Sequence, residues 1–152
     1  MYARILVPID GSTTSERGLD EACAIAAKLG SSVRLIHVVD DASLAMSGAA
    51  LAANIGELLM SLAVAGEQIL AAGRDRAKQH KLTAETVLRH CPAGRVADVI
   101  VQEAAQWPAE LIVIGTHGRR GAGRLLLGSD AEQVLRLAPA PVLLVRQGTS
   151  RS

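Results

Sequence analysis

Four short runs along the chain are apolar almost throughout and bounded by polar, Gly or Pro residues: Ile5–Ile9, Val33–Val39, Leu111–Ile114 and Val142–Val145. Their β-branched content suits strands buried on both faces of a parallel sheet. A fifth run, Ala84–Arg89, is more mixed and is predicted as a strand nearer a sheet edge. Between them the period changes. Leu19, Ala22, Cys23 and Ala26 recur at i, i+3, i+4 and i+7, and Thr13 with Glu16 has capping-box spacing ahead of that stripe. A long Ala- and Leu-rich helix is predicted from about Asn54 to His80. Val96, Val99, Ile100 and Ala104 mark another. Ala131, Val134, Leu135 and Ala138 mark the last, opened by Ser129 with Glu132 and closed by Pro139 and Pro141. Asp40 to Ala53 is expected to be the loosest segment.

The alternation β-α-β-α-β-α-β-α-β implies right-handed crossovers and an open parallel sheet with helices on both faces. Ligands of such sheets bind beyond the carboxyl ends of the strands, where the strand order reverses. At 152 residues and 15.8 kDa, one domain over residues 1–152 is expected, with a core of Ala, Val, Leu and Ile because aromatic residues are 1% of the chain. That composition removes aromatic stacking platforms for single-stranded nucleic acid, and a net charge of +1 removes a basic nucleic-acid coat. Two cysteines, Cys23 and Cys91, match no zinc spacing and make no disulfide framework. Cys91 is expected to be the more exposed of the two. The uncharged stretch Ala42–Gly56 is too short and too polar to span a bilayer, and the N-terminus lacks a signal-peptide pattern, so the chain reads as soluble and cytoplasmic, with no membrane partner.

Chemistry gathers in two loops. After Ile114 comes Gly115-Thr116-His117-Gly118-Arg119-Arg120-Gly121-Ala122-Gly123-Arg124-Leu125-Leu126-Leu127-Gly128-Ser129, and then a helix. Glycines let backbone N–H groups approach a ligand, the helix start adds unpaired N–H groups, and the arginines add positive charge. The pattern fits a nucleotide phosphate chain; the plain alternative is a long surface loop with capping residues. The P-loop Lys and Ser/Thr are missing, and so is the last glycine of a dinucleotide fingerprint. The first strand ends Pro8-Ile9-Asp10-Gly11-Ser12, where Asp10 either meets a base edge, a ribose or a metal, or simply makes an Asp-Gly turn. The two loops adjoin if the strand order is 3-2-1-4-5. In the order 2-1-3-4-5 the crevice would instead use the glycine-poor His90–Gly94 loop, which favours the first order. His37 reads as a packed, hydrogen-bonded strand residue, His80 and His90 as surface or strand-end residues, and Asp40 and Asp41 as solvated loop acids, with a ribose contact as the alternative.

The spacing Gly115-x2-Gly118-x9-Gly128-Ser129 resembles the nucleotide motif of ATP-binding universal stress proteins. The opening Ile5 to Ser12, the strand Leu35-Ile36-His37-Val38, and the ending Ala131 to Arg136 and Pro141 to Arg146 are similar to the same family, so the likeness covers essentially the whole chain. It implies a five-stranded parallel sheet in order 3-2-1-4-5 and a homodimer through the last strand, Val142 to Arg146. It implies that Pro8 and Asp10 line the adenine and ribose side, with Ile9 between them, and that the backbone of Val38 meets adenine. Ile114 and Gly115 would lie against the ribose and phosphates. Gly118, Arg119, Gly128, Ser129 and Asp130 would hold phosphates, with His117 in the same loop. The cofactor implied is ATP, alone or with Mg²⁺. Position 130 departs from the family, which commonly has a small or apolar residue there. Asp130 would repel a triphosphate unless Mg²⁺ bridges them or the side chain turns outward. The function implied is a nucleotide-dependent regulator acting on a protein partner that the residues do not name. A slow ATP hydrolase and a nucleotide-free partner-binding domain remain open, although no residue is an evident base for water.

Overall fold

The computed structural model describes residues 1–46, 54–116 and 127–146. Its elements run β1 (Arg4–Pro8), α1 (Thr13–Leu29), β2 (Ser32–Val39), α2 (Asp41–Met46), α3 (Ile55–Gln79), β3 (Ala84–His90), α4 (Val96–Gln106), β4 (Leu111–Gly115), α5 (Ser129–Leu137) and β5 (Val142–Val145). The five strands form one all-parallel sheet in the order β3-β2-β1-β4-β5. The expected α/β class and strand order are therefore borne out, and the mixed strand β3 does lie at an edge. The expected loose segment begins as a helix, α2, because Asp40 accepts from the Ser43 N–H at 2.9 Å and from its hydroxyl, which fixes the first turn.

Alternation along the strands divides the core into two. Ile5, Val7, Ile9, Val33, Leu35 and Val113 pack with Leu19, Ala22, Cys23 and Ala26 of α1 and with Leu70 and Ala77 of α3. Leu6, Ile36, Ile112 and Ile114 pack on the other face with Ala97, Ile100 and Ala104 of α4 and with Ala131 and Val134 of α5. A sheet that buries both faces leaves no polar side in its central strands, which is why β1 and β4 are apolar without interruption. Cys91 is fully buried, contrary to expectation: its N–H donates to Val39 at 2.9 Å and its carbonyl accepts from Ala42 at 3.0 Å, so α2 and the end of β2 enclose it.

By length and composition α3 could cross a membrane, with a mean hydropathy of 1.4 over its most apolar window. One stripe of it, Gly66, Leu70, Gly73 and Ala77, is buried, while Leu58, Met60 and Val64 nearer its start are exposed. Two ion-pair sets tie helices to their neighbours. Arg76 of α3 makes a two-pronged contact with Asp20 of α1, both bonds at 2.7 Å. Glu103 of α4, 2% exposed, accepts from Arg34 of β2 and Arg89 of β3, each at 2.9 Å. The Arg34 guanidinium also lies 4.5 Å from the ring centre of Trp107, which closes α4.

Both expected capping boxes are corrected. Ser12, not Thr13, caps α1: its hydroxyl accepts from the Ser15 N–H at 3.2 Å, and Glu16 turns instead to Arg76. At α5 the cap position falls to Gly128, so Ser129 is the first helical residue rather than the cap. The start of α1 is pressed against the end of β4. A Cβ on Gly115 would lie 2.9 Å from the carbonyl carbon of Thr14 and 3.0 Å from its oxygen. Those atoms are backbone and cannot swing aside. Gly115→Ala is therefore expected to lower stability by about 1–3 kcal/mol in urea unfolding; a loss below about 0.5 kcal/mol would contradict this packing.

Candidate functional site

β1 is the middle strand, yet its two edges are paired unequally. Against β2 the register runs the full length, from Arg4–Ser32 to Pro8–Ile36. Against β4 it holds only Ile5–Leu111 and Leu6–Ile112. Beyond Leu6 and Ile112 the β1–β4 ladder ends, at Pro8, which has no N–H to donate; this is the carboxyl end of the sheet where the order reverses and where a crevice is expected. Thr14 at the start of α1 lies against the Gly115 end of β4 and closes the crevice on one side.

The described candidates stand around this opening. Pro8 is buried at the end of β1, and Asp10 is half-buried just past it. An Asp10 carboxylate oxygen accepts from the Ser12 N–H at 2.9 Å, which folds the turn, and Gly11 takes a φ of +79° that a side chain would resist. Ile114 and Gly115 end β4, both buried. After Thr116 the chain leaves for residues 117–126 and returns at Leu127. The Gly128 N–H then donates to the Thr116 carbonyl at 2.7 Å, so the excursion starts and ends at one place. Thr116 N–H itself donates to Val145 at 2.9 Å. This pinning brings Gly128, Ser129 and Asp130 beside the end of β4. Ser129 and Asp130 are exposed in the first turn of α5, where the cap residue, Gly128, has no side chain to occupy the helix N–H groups. His117, Gly118 and Arg119 lie outside the described residues.

Val38 completes the ring through its main chain. The Ile36 carbonyl accepts from Ile9 N–H at 2.9 Å, so even-numbered residues of β2 turn their polar backbone groups toward β1. Val38 has the same orientation, two residues beyond the last register pair. Ile9 differs from its neighbours. Its side chain belongs to the core under α1 and α3, and it lines a cavity of about 470 Å³ between those helices together with Leu19, Ile69 and Gly73. Its main-chain groups are engaged as well, the N–H with the Ile36 carbonyl at 2.9 Å and the carbonyl with Nδ1 of His37 at 2.8 Å.

Four carboxylates act together on Cys91, of which only Asp98 was not singled out in the sequence. Burial first, then the fields of Asp40, Asp41, Asp98 and Asp130, push the Cys91 thiol above its usual range. These four carboxylates come from the end of β2, the start of α2, the first turn of α4 and the first turn of α5. No spacing in the sequence links Asp98 to the others; the sheet order does. Asp41 is not a solvated loop acid, since it pairs with Nδ1 of His90 at 2.9 Å. His80 and His90 are exposed, as expected, and each is paired with a carboxylate, Asp20 and Asp41.

The sequence profile described as the universal stress protein family matches residues 1–146. The chain belongs to that family. It is 30% identical over 151 residues to universal stress protein YxiE of Bacillus subtilis, with 96% of this chain and 100% of the relative covered. The solved structure of universal stress protein UspA from Lactobacillus plantarum is 26% identical, superposes with a TM-score of 0.79, and covers 95% of this chain and 98% of its own. A universal stress protein solved in complex with cAMP is 25% identical, with a TM-score of 0.67 over 97% and 98% of the two chains.

Neither thiol is set up to react. Cys23 is fully buried, and burial pushes its pKa up to about 11; Cys91 is buried and raised in the same direction. A thiol reagent at pH 8 is expected to modify both at least about tenfold more slowly in the native protein than in urea. Rapid native modification of Cys91 would contradict its enclosure.

Proposed function

We propose that the chain is an ATP-binding universal stress protein, one nucleotide-binding domain over residues 1–152 that regulates a protein partner according to occupancy. The observation that carries this reading is the splitting of β1 from β4 after Leu6–Ile112, with open main-chain groups of Val38 on one side and the uncapped first turn of α5 on the other. An adenine edge needs one donor and one acceptor at fixed spacing, which a strand edge offers; a phosphate needs converging N–H groups, which a helix start offers. Pro8 and Asp10 stand where the base and ribose would lie, Ile114 and Gly115 under the ribose. Gly128 and Ser129 would hold phosphates, joined by His117, Gly118 and Arg119 of the loop. The relative solved with cAMP supports an adenine nucleotide as ligand.

The carboxylates oppose a bare triphosphate. Asp130 stands in the same first turn as the phosphate donors, and its field, with those of Asp40, Asp41 and Asp98, reaches the Cys91 thiol. Mg²⁺ arriving with the nucleotide would offset that repulsion. The outermost strand, β5, has all four residues half-buried and one edge unpaired among the described residues, beside Leu135 and Leu137 of α5, each 47% exposed. An exposed apolar edge of this kind is suited to a second copy pairing across a two-fold axis through Val142 to Arg146. The dimer is expected at twice the 15.8 kDa chain mass in sedimentation.

Calorimetry with Mg-ATP tests the central reading. Binding is expected, and Gly128→Glu is expected to abolish it while leaving the circular dichroism spectrum unchanged, because a φ of −58° at this position suits any residue. Protein that carries no adenine nucleotide on purification and binds none on addition would favour a nucleotide-free partner-binding domain. Steady-state phosphate release separates a binder from a slow hydrolase. At low Mg²⁺, Asp130→Ala is expected to bind ATP more tightly than the natural chain; equal or weaker binding would remove the repulsion argument.

A further inference from the structure

The β1–β2 ladder stops one rung earlier than its geometry allows. In a parallel pair, a residue donates to the partner strand on one side of its opposite number and accepts from the other side. Ile9 N–H donates to Ile36 at 2.9 Å, so the next rung would carry Val38 N–H to the Ile9 carbonyl. Among the described residues that rung is not formed. The Ile9 carbonyl instead meets Nδ1 of His37 at 2.8 Å. A carbonyl can only accept, so Nδ1 carries the proton and donates. The ring is confined from the far side by α3. A Cβ on Gly66 would lie 2.7 Å from Cδ2 of His37, 3.3 Å from its Nε2, and 2.7 Å from Cδ1 of Leu88. The helix can approach the ring this closely because residue 66 has no side chain.

We infer that His37 is a positioning residue for adenine: by capturing the Ile9 carbonyl, its ring keeps the Val38 N–H out of the ladder and available to a ring nitrogen of the base. His37 touches no ligand. It satisfies a backbone acceptor that would otherwise claim the donor the base requires. The adenine half of this assignment rests on the function proposed above; the interruption of the ladder is a property of the free protein.

The test pairs amide hydrogen exchange at Val38, without nucleotide, with Mg-ATP calorimetry. His37→Leu keeps bulk against Leu88 and donates nothing. His37→Asn places an amide N–H about where Nδ1 stands. In the Leu variant, Val38 exchange is expected to slow about tenfold as its N–H closes on Ile9, and ATP binding to weaken about tenfold. The Asn variant is expected to restore both to within about threefold of the natural chain. Gly66→Ala, which displaces the ring without touching the crevice, is expected to shift both readouts as Leu does, and serves if the Leu variant does not fold. Unchanged Val38 exchange in the Leu and Gly66 variants would overturn the ladder interruption, whatever the nucleotide result. Slowed exchange with undiminished ATP affinity would overturn the adenine role. If the natural chain binds no ATP while exchange still responds, the nucleotide reading fails, the adenine role fails with it, and the ladder interruption stands.

Discussion

Every buried backbone N–H and carbonyl must find a partner, and in this protein that requirement is hardest to meet where the strand order reverses. A strand inside a parallel sheet normally satisfies both of its edges along its whole length. β1 does so against β2, but against β4 it manages two register pairs before the ladder ends. The remaining groups are shared among local devices. Asp10 takes the Ser12 N–H, Ser12 takes the Ser15 N–H, His37 takes the Ile9 carbonyl, and Thr116 takes the Gly128 N–H. What these devices leave open, at Val38 and at the start of α5, is what a ligand can use.

The rest of the molecule seats the helices around this end of the sheet. On one face, α1 is seated on the end of β4 through Gly18 and Gly115, and α3 is drawn to α1 by the Arg76–Asp20 pair. On the other, Glu103 draws α4 onto β2 and β3 through Arg34 and Arg89. A carboxylate as buried as Glu103 contributes little net stability, since desolvation offsets most of the attraction. What it does contribute is a defined seating of α4 on two strands. That seating also carries Asp98 into the acidic group around Cys91.

The carboxyl end of the sheet places opposing electrostatic demands on an anion. The start of α5 favours anions, while Asp130 in its own first turn disfavours them. The balance makes ligand charge, and the cation that accompanies it, decisive for affinity. Asp10, at the end of β1, holds its own turn by accepting the Ser12 N–H.

Much of the fold was legible along the chain. Four apolar runs and one mixed run marked the five strands, the glycine content of the loop from Gly115 to Gly128 favoured the reversal between the first and fourth strands, and the resemblance to universal stress proteins named the same sheet order. Those features are local or periodic, so a single sequence carries them. The caps were misplaced by one residue, because Ser12 and Thr13 can equally cap a helix and only the path of the chain leaving β1 chooses between them. The burial of Cys91, the gathering of Asp98 with Asp40, Asp41 and Asp130, and the capture of Ile9 by His37 had no signature at all. Each depends on segments far apart in sequence, and residue spacing holds no information about which of them the sheet order and the helix seating bring within reach.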